Sequence, residues 1–315
     1  MDKAKVTILG SDGNCGHAAM VAFRDAGWDV TGFSRRNRRP VSETRAVLGD
    51  ADTMEAVRAA IGAAQVVVYG LHPPYDQWGN GRAERQLQLV LDAMAGSGKT
   101  LLFPGNIYNY RASDRTVSPG LRQSAEKPRG AIRIRLETML KEAAGRGDIQ
   151  AIIIRAGDFF GPNNTGGWYD AGMLMDVRKG RVYHLGALET RHSWAYLPDL
   201  GRAFAAVAAR RESLARFENF HFAGHWVSHS QIMEAIRTAL PQPLRTSPLP
   251  WWMLRAMGLI NPILRDIVEM RYLWRHEMEL VDPRLDALLG PHAVTPFESA
   301  VTQTVQALTA KRQAA

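Results

Sequence analysis

The sequence predicts an α/β fold in which a doubly wound parallel sheet carries helices on both faces and a smaller, mostly helical carboxyl-terminal lobe follows it. Three observations point there. Short β-branched runs alternate with helical stretches through the first half, and most of these runs are continuously apolar, as strands buried on both faces are. A glycine-rich turn, Gly10 to Gly16, joins the first run to the first helix. Beyond Gly161 the texture changes to Gly, Pro, Asn and Trp before helical text returns.

Six strands are expected, at Val6 to Leu9, Asp29 to Phe33, Arg45 to Leu48, Gln65 to Tyr69, Thr100 to Phe103 and Gln150 to Arg155. Helices are expected at His17 to Ala26, Thr53 to Ile61, Ala83 to Ala95 and Ala131 to Arg146. The second part offers helices at Leu197 to Arg211, Ser230 to Leu240 and Trp251 to Arg275, with a strand at Asn219 to Ala223. A first domain over 1–160, to which 191–223 returns, and a second lobe over 161–315 follow from this pattern. The lobe is expected over the carboxyl ends of the strands, where open α/β sheets bind ligands.

At 315 residues, 46% hydrophobic and 22% charged, the chain can bury a large core, which excludes a disordered class. A single cysteine, Cys15, excludes an internal disulfide framework and a Cys-rich zinc site, and no His-x-x-x-His spacing suggests another metal. The uncharged stretch Ala59 to Tyr75 is interrupted by polar residues and prolines and is too short to span a bilayer, so no transmembrane segment is expected. With no basic n-region and apolar h-region ahead of the first strand, the expected address is cytoplasmic. A net charge of +8 would suit nucleic acid, but the arginines are scattered along the chain, and no nucleic-acid partner is expected.

Gly10-Ser11-Asp12-Gly13-Asn14-Cys15-Gly16 follows a buried strand and opens an apolar helix, the context in which such glycines serve a dinucleotide. Gly10 allows the tight turn, Gly13 lets backbone approach a pyrophosphate, and Gly16 lets helix and strand pack closely. Free N–H groups at the helix start then face the phosphates, aided by the helix dipole. Cys15 is read as an inert turn residue, with a redox thiol activated by the helix N-terminus as the other reading. At the end of the second strand, where a carboxylate would accept from the ribose 2′-OH of NAD, the chain has Ser34-Arg35-Arg36. Guanidinium groups there favour NADP, NAD being the alternative. Asp50 is placed to meet the adenine, and Gly70 to let the cofactor pass close.

The glycine motif, Gly49-Asp50, the Tyr69-Gly70 turn and Ile154-Arg155-Ala156-Gly157-Asp158-Phe159-Phe160-Gly161-Pro162 together resemble the extended short-chain dehydrogenase/reductases, the family of sugar-nucleotide epimerases and dehydratases. Trp194-Ala195-Tyr196-Leu197-Pro198-Asp199-Leu200 and His221-Phe222-Ala223-Gly224 are similar to later segments of that family. The resemblance implies a Rossmann-type domain binding NAD(P) and a lobe that selects a small-molecule substrate. It sets Gly10, Asp12, Gly13, Asn14, Cys15, Gly16, Ser34, Arg35, Arg36, Asp50, Gly70, Leu71, His72, Arg133, Ala156 and Asp158 against the cofactor. Asp158 is expected to bond backbone or substrate amide groups.

Members of that family carry a Tyr-x-x-x-Lys pair on the helix after the fifth strand and a Ser or Thr at that strand's end, for proton transfer to and from the substrate oxygen. Aligned on Glu137, the tyrosine position falls on Arg129 and the lysine position on Arg133, so both catalytic types are missing. Phe103-Pro104-Gly105-Asn106-Ile107-Tyr108 offers no Ser or Thr either. The candidate replacements are Tyr108 as proton donor, Asn106 as polar substitute and Arg133 as ribose partner, against a packing role for Tyr108. Trp168, Tyr169, His184, Arg191, His192 and Trp194 form an aromatic and cationic set suited to a planar or anionic ligand, with ordinary packing and solvated charge as the alternative, and the candidate substrate residues are Tyr75, Tyr110, Trp168, His192 and Trp194.

Gly96-Ser97-Gly98-Lys99-Thr100 mimics the end of a P-loop but leads from a helix into a strand, the reverse of a P-loop's order. It is expected to be a helix stop. The apolar residues of 250–275 suit core packing or a homodimer, and its tryptophan-rich basic text could instead rest on a membrane surface or line an apolar substrate tunnel. Two functions remain open from the sequence. One is an NADP-preferring oxidoreductase or epimerase-like enzyme with non-standard catalytic residues. The other is a catalytically silent NAD(P)-binding sensor or partner-binding protein, which the loss of both Tyr and Lys would predict.

Overall fold

Seven parallel strands make the central sheet, and the chain enters it through β1 (Lys5–Leu9), α1 (Asn14–Asp25), β2 (Asp29–Ser34), β3 (Arg45–Leu48), α2 (Met54–Ile61) and β4 (Val66–Tyr69). It continues through α3 (Arg82–Met94), β5 (Thr100–Gly105), the short β6 (Thr116–Val117), α4 (Pro128–Gly145) and β7 (Gln150–Ala156). Next come β8 (Asp158–Phe160), β9 (Arg181–His184), β10 (Arg191–Tyr196), α5 (Leu197–Ala209) and β11 (Phe217–Phe222). The remainder holds β12 (His225–Ser228), α6 (His229–Ala239), β13 (Arg245–Pro248), α7 (Trp251–Met257), α8 (Pro262–Glu269), β14 (Glu279–Leu280), α9 (Pro283–Leu289) and α10 (Phe297–Gln313). This is a computed structural model that describes residues 3–73, 77–240 and 242–313.

The sheet order is β11-β7-β5-β4-β1-β2-β3, so the strand order reverses between β1 and β4, where open sheets bind dinucleotides. The six expected strands are present. The strand expected at Asn219 to Ala223, within the 191–223 segment expected to return to the first domain, is β11, which pairs with β7 from Phe217 to Phe222 as the seventh member of the sheet. The continuous helix expected over Trp251 to Arg275 is broken: α7 ends at Gly258, Asn261 caps a new helix by accepting from Ile263 N and Leu264 N, and Met270–Trp274 tightens into a 3₁₀ turn. Pro262 at the first helical position explains the restart. Gly96 and Gly98, both at positive φ, form the turn between α3 and β5, as the order of elements required.

Both faces of the sheet are covered, which is why its strands read as unbroken apolar runs. On one face α1 and α5 bury Ala19, Phe23, Phe204 and Val207 against Ile8, Val30 and Ile154. On the other, α2, α3 and α4 bury Val57, Leu87, Val90, Leu136 and Leu140 against Val67, Leu101 and Ile153. The lobe has its own core, in which Phe160, Trp194, Tyr196, Ile236, Trp251 and Trp274 meet the carboxyl-terminal helix. Helices α1 and α5 approach so closely that a Cβ on Gly201 would lie 2.6 Å from the Ala18 carbonyl oxygen. Gly201→Ala is therefore expected to cost about 1–3 kcal/mol by forcing the pair apart. An unchanged urea midpoint would show that the helices separate freely.

Beneath the carboxyl edge of the sheet lies a buried polar network. Arg155, on β7 and fully buried, pairs with Glu137 of α4 at 2.6 Å, donates to the Asn106 carbonyl, and donates through Nε to His221 Nε2 of β11 at 3.1 Å. Gln123 donates to the same Glu137 carboxylate at 2.6 Å, and His221 Nδ1 donates to the Val117 carbonyl at 3.0 Å. Burial alone would raise the Glu137 carboxyl, but the Arg155 guanidinium outweighs it and holds the group below the usual carboxylate range. Burial, with Arg155 alongside, pushes the His221 imidazole down to about 3.

Both shifts act in the same direction with pH. Below the ordinary histidine value the unfolded chain takes up a proton that folded His221 refuses, so stability present above about pH 6.5 is lost as pH falls towards the folded value. Glu137 adds a loss at lower pH, where the unfolded carboxylate protonates first. Thermal melts are expected to show stability falling through this window, with His221 contributing up to about 1.4 kcal/mol per pH unit beside His72, His225 and His229, which burial also lowers. His221→Gln should flatten that slope, and an unchanged slope would remove His221 as its cause.

Candidate functional site

The carboxyl ends of β1, β4, β5 and β7 converge on the strand-order reversal, and the cofactor candidates stand on the loops that leave them. Gly10 turns the chain out of β1 at φ +81°, and a Cβ there would meet the Gly70 carbonyl oxygen at 2.4 Å. At Gly16 a Cβ would meet the Gly10 carbonyl oxygen at 2.2 Å, so α1 starts hard against the turn. Only glycine permits either approach. Gly13 is the N-cap of α1 with no side-chain cap, so the backbone N–H groups of the first helical turn face outward with the positive end of the dipole. A pyrophosphate fits that cradle.

Around the cradle the structure adds groups that the sequence did not single out. Arg39 donates through its backbone N–H to Asp12 Oδ1 at 3.1 Å, and its guanidinium reaches Asn14 Oδ1 at 3.2 Å and the Asn163 carbonyl at 2.7 Å. Asn14 donates in turn to the Thr165 carbonyl at 2.9 Å and accepts from Thr165 N at 3.2 Å. The 163–165 loop is thereby tied to the glycine turn. Arg35 and Arg36 are exposed on the loop after β2, while Ser34 is buried and accepts from Asn37 N. The one signal for Arg39 in the sequence was its place in the dense run Arg35-Arg36-Asn37-Arg38-Arg39.

Other cofactor candidates are distributed along the same edge. Leu71 is half-buried beside Gly70, His72 lies edge-on to Trp78 at 4.9 Å, and Ala156 is buried at the end of β7. Asp50 is exposed and accepts from Asp52 N at 3.1 Å, holding the turn before α2. Burial pushes the Cys15 thiol up to about 12, which removes the thiolate a redox role would need.

The two arginines at the tyrosine and lysine positions are both engaged within the chain. Arg129, buried at the start of α4, pairs with Asp266 of α8 and joins the sheet domain to the lobe. Arg133 donates to the Pro104 carbonyl and lies 4.6 Å above the Phe103 ring with Trp78 at 5.9 Å. These contacts hold the Arg133 guanidinium against the end of β5. Asn106 is spent on local structure, its side chain accepting from Tyr108 N at 3.1 Å to cap a 3₁₀ turn. Tyr108 is buried beneath α4, whose Gly130 has no room for a Cβ beside the Tyr108 carbonyl. The geometry therefore favours packing over proton donation at Tyr108.

Of the expected substrate set, Tyr75 lies outside the described residues, and Tyr110 is fully buried against Arg155 and His221. Trp168, His192 and Trp194 do come together. His192 donates from Nε2 to Asp158 Oδ2 at 2.7 Å, where β8 and β10 run side by side. Its ring packs 4.4 Å from Trp274, which stacks on Trp194 at 5.5 Å and meets Trp168 at 5.4 Å. His192 Nδ1, Trp194 Nε1, Trp274 Nε1 and the Tyr272 hydroxyl are buried with no hydrogen-bond partner among the described residues. Buried polar groups are normally satisfied, so a cluster of open ones beside an Asp–His pair is the arrangement most suited to a polar ligand. Trp274 and Tyr272 escaped the sequence reading because they sat inside text taken for one long packing helix. No group of His, Cys, Asp and Glu that could hold a metal occurs among the described residues.

Comparison with known proteins agrees with this architecture. A UDP-glucose 4-epimerase aligns at a TM-score of 0.78 with 12% identity, covering 98% of each chain. The UDP-glucuronic acid 4-epimerase from Bacillus cereus, in complex with UDP-glucuronic acid and NAD, aligns at 0.75 with 12% identity over 98% of this chain and 99% of that one. A UDP-glucose 4-epimerase from Thermus thermophilus, complexed with NAD, gives 0.73 at 15% identity, over 97% and 99%. At such identities the likeness is one of fold. A search of curated proteins finds no match to the chain. Residues 6–222 match the NAD dependent epimerase/dehydratase family, a span that reaches all seven strands of the sheet and both residues of the Asp–His pair. The chain belongs to the NAD dependent epimerase/dehydratase family.

Proposed function

We propose that the protein is an NADP-preferring oxidoreductase or epimerase-like enzyme acting on a small organic substrate, with Asp158 and His192 doing the proton work of the missing tyrosine and lysine. One observation carries this reading: a half-buried carboxylate holds one nitrogen of the buried His192 imidazole at 2.7 Å while the other has no partner among the described residues. Nδ1 is then the position at which the ring can take a proton from, or return one to, a substrate oxygen. Asp158 fixes the orientation of the ring. Trp168 and Trp274 wall the approach, so the reading requires the Met270–Trp274 turn to move when substrate binds.

The dinucleotide assignment rests on the cradle at Gly10 to Gly16 and on the NAD held by structural neighbours. Backbone N–H groups of Asn14, Cys15 and Gly16 would hold the pyrophosphate. Arg35 and Arg36, with Arg39 beside them, would take a 2′-phosphate and so favour NADP. A bound nicotinamide supplies the hydride chemistry itself.

A second reading, a catalytically silent NAD(P)-binding protein, is favoured by a different observation. Arg129 and Arg133 have become structural anchors, as they would in a protein that kept the cofactor site and gave up turnover. Assays of nicotinamide absorbance against carbonyls, alcohols and sugar nucleotides separate the two. His192→Gln is expected to lower kcat by about 10²–10⁴ while leaving NADPH affinity unchanged. Retained turnover would sink the His192 assignment, and tight nucleotide binding without turnover on any class would establish the silent reading. Arg35→Ala with Arg36→Ala should weaken NADPH roughly tenfold more than NADH; equal losses would rule out the NADP preference. Gly13→Val should abolish binding of either nucleotide.

A further inference from the structure

The α7–α8 hairpin presents an apolar tip to solvent. Leu259 is 85% exposed, Ile260 90% and Trp252 77%, and Met253, Met257 and Ile263 continue the same patch along the two helices. Side chains exposed to that degree protrude rather than lie in a surface. Isolated exposed hydrophobics are ordinary, but a contiguous projecting set with tryptophan and no partner marks an interaction site.

The surroundings of the tip are basic. Residues 251–275 contain Arg255, Arg265, Arg271 and Arg275, of which Arg255, Arg265 and Arg275 are exposed. Of the two acids in the segment, Asp266 is already paired with Arg129, leaving Glu269. Arg275 and Arg255 each lie close enough to Arg271 to repel it. A second copy of the chain would bring the same cations, on a molecule of net charge +8, against this rim. An anionic surface would relieve them. A protruding tip also has little flat area to offer another folded protein, whereas the interfacial zone of a bilayer accepts it at any shape.

We infer that the α7–α8 hairpin is a peripheral docking element for an anionic phospholipid bilayer, with Trp252, Leu259 and Ile260 entering the headgroup and acyl boundary and the arginines meeting lipid phosphates. No helix among the described residues is long and apolar enough to cross a membrane, so the attachment is to one face. Its anchor to the rest of the molecule is firm. Trp251 Nε1 donates to the Leu185 carbonyl at 2.9 Å, and Asp266 is held by Arg129 at the start of α4. Docking would therefore orient the whole sheet domain relative to the bilayer. The inference stands on the surface alone and is independent of any catalytic role for His192.

The test is co-sedimentation of the full chain with vesicles of phosphatidylcholine containing about one-third phosphatidylglycerol, against vesicles of phosphatidylcholine alone. Binding is expected to the anionic vesicles only and to weaken as salt is raised. Leu259→Ser with Ile260→Ser should lower the bound fraction at least ~10-fold, since two large apolar side chains no longer enter the interface. Arg255→Gln and Arg275→Gln should each lower it ~5-fold. These side chains are exposed, so thermal melts of the variants should match the parent. The proposal is overturned if anionic vesicles bind no more protein than neutral ones, or if the Leu259→Ser, Ile260→Ser variant binds normally. Sedimentation velocity without lipid gives a further check: a parent dimer that this variant dissociates would assign the tip to a second copy of the chain and overturn it equally.

Discussion

The Glu137–Arg155 ion pair governs how the carboxyl edge of the sheet is assembled. Through it α4, β7, β11 and the turn after β5 meet in one largely buried set of hydrogen bonds, to which Gln123 and the Val117 carbonyl add. A buried pair gains little over apolar packing of the same shape, yet removing one partner leaves an uncompensated charge and costs several kcal/mol. The arrangement therefore specifies geometry more than it adds stability. Everything that leaves this edge, from the Asn106 cap to the Asp158 carboxylate just beyond Gly157, inherits its position from that pair.

The same edge shows how a family frame can be kept while its chemistry is redistributed. On α4 the positions that would face a substrate oxygen carry guanidinium groups turned to other tasks, one bridging to the lobe and one laid on Phe103. A guanidinium neither gives up its proton readily nor relays one, so these side chains are suited to holding structure. Proton exchange in the proposed reaction falls to the next strands of the edge, where a carboxylate and an imidazole are within hydrogen-bond distance.

Much of the sheet was legible because each strand is buried on both faces and each helix on one, so the text switches between unbroken apolar runs and helical periodicity. The glycine turn was legible because steric demands at Gly10 and Gly16 exclude every other residue. What escaped depends on partners far apart in the chain. Arg155 in the apolar run Ile152 to Ala156 was itself a signal, since a charge at such a position must find a buried partner, but nothing local says that the partner is Glu137. Arg39 reaches Asn163 across 124 residues, and Trp274 reaches His192 from text that periodicity assigned to a helix. The break between α7 and α8 was written locally, in Gly258, Asn261 and Pro262, and was masked by apolar residues that kept helical spacing on both sides of it.

The place of β11 bears on how the molecule is made. Its partner β7 ends at Ala156, yet β11 begins only at Phe217, after the first part of the lobe has been laid down. During synthesis from the amino terminus the six earlier strands emerge first, and β7 then presents a free edge of unpaired N–H and C=O groups until residues 217–222 arrive to cover it. An open parallel edge of apolar residues is the feature most prone to pair with the wrong chain. The whole run from Gly157 to Arg216 thus separates the exposure of that edge from its protection, and the nascent protein is at its most vulnerable to misassociation in that interval.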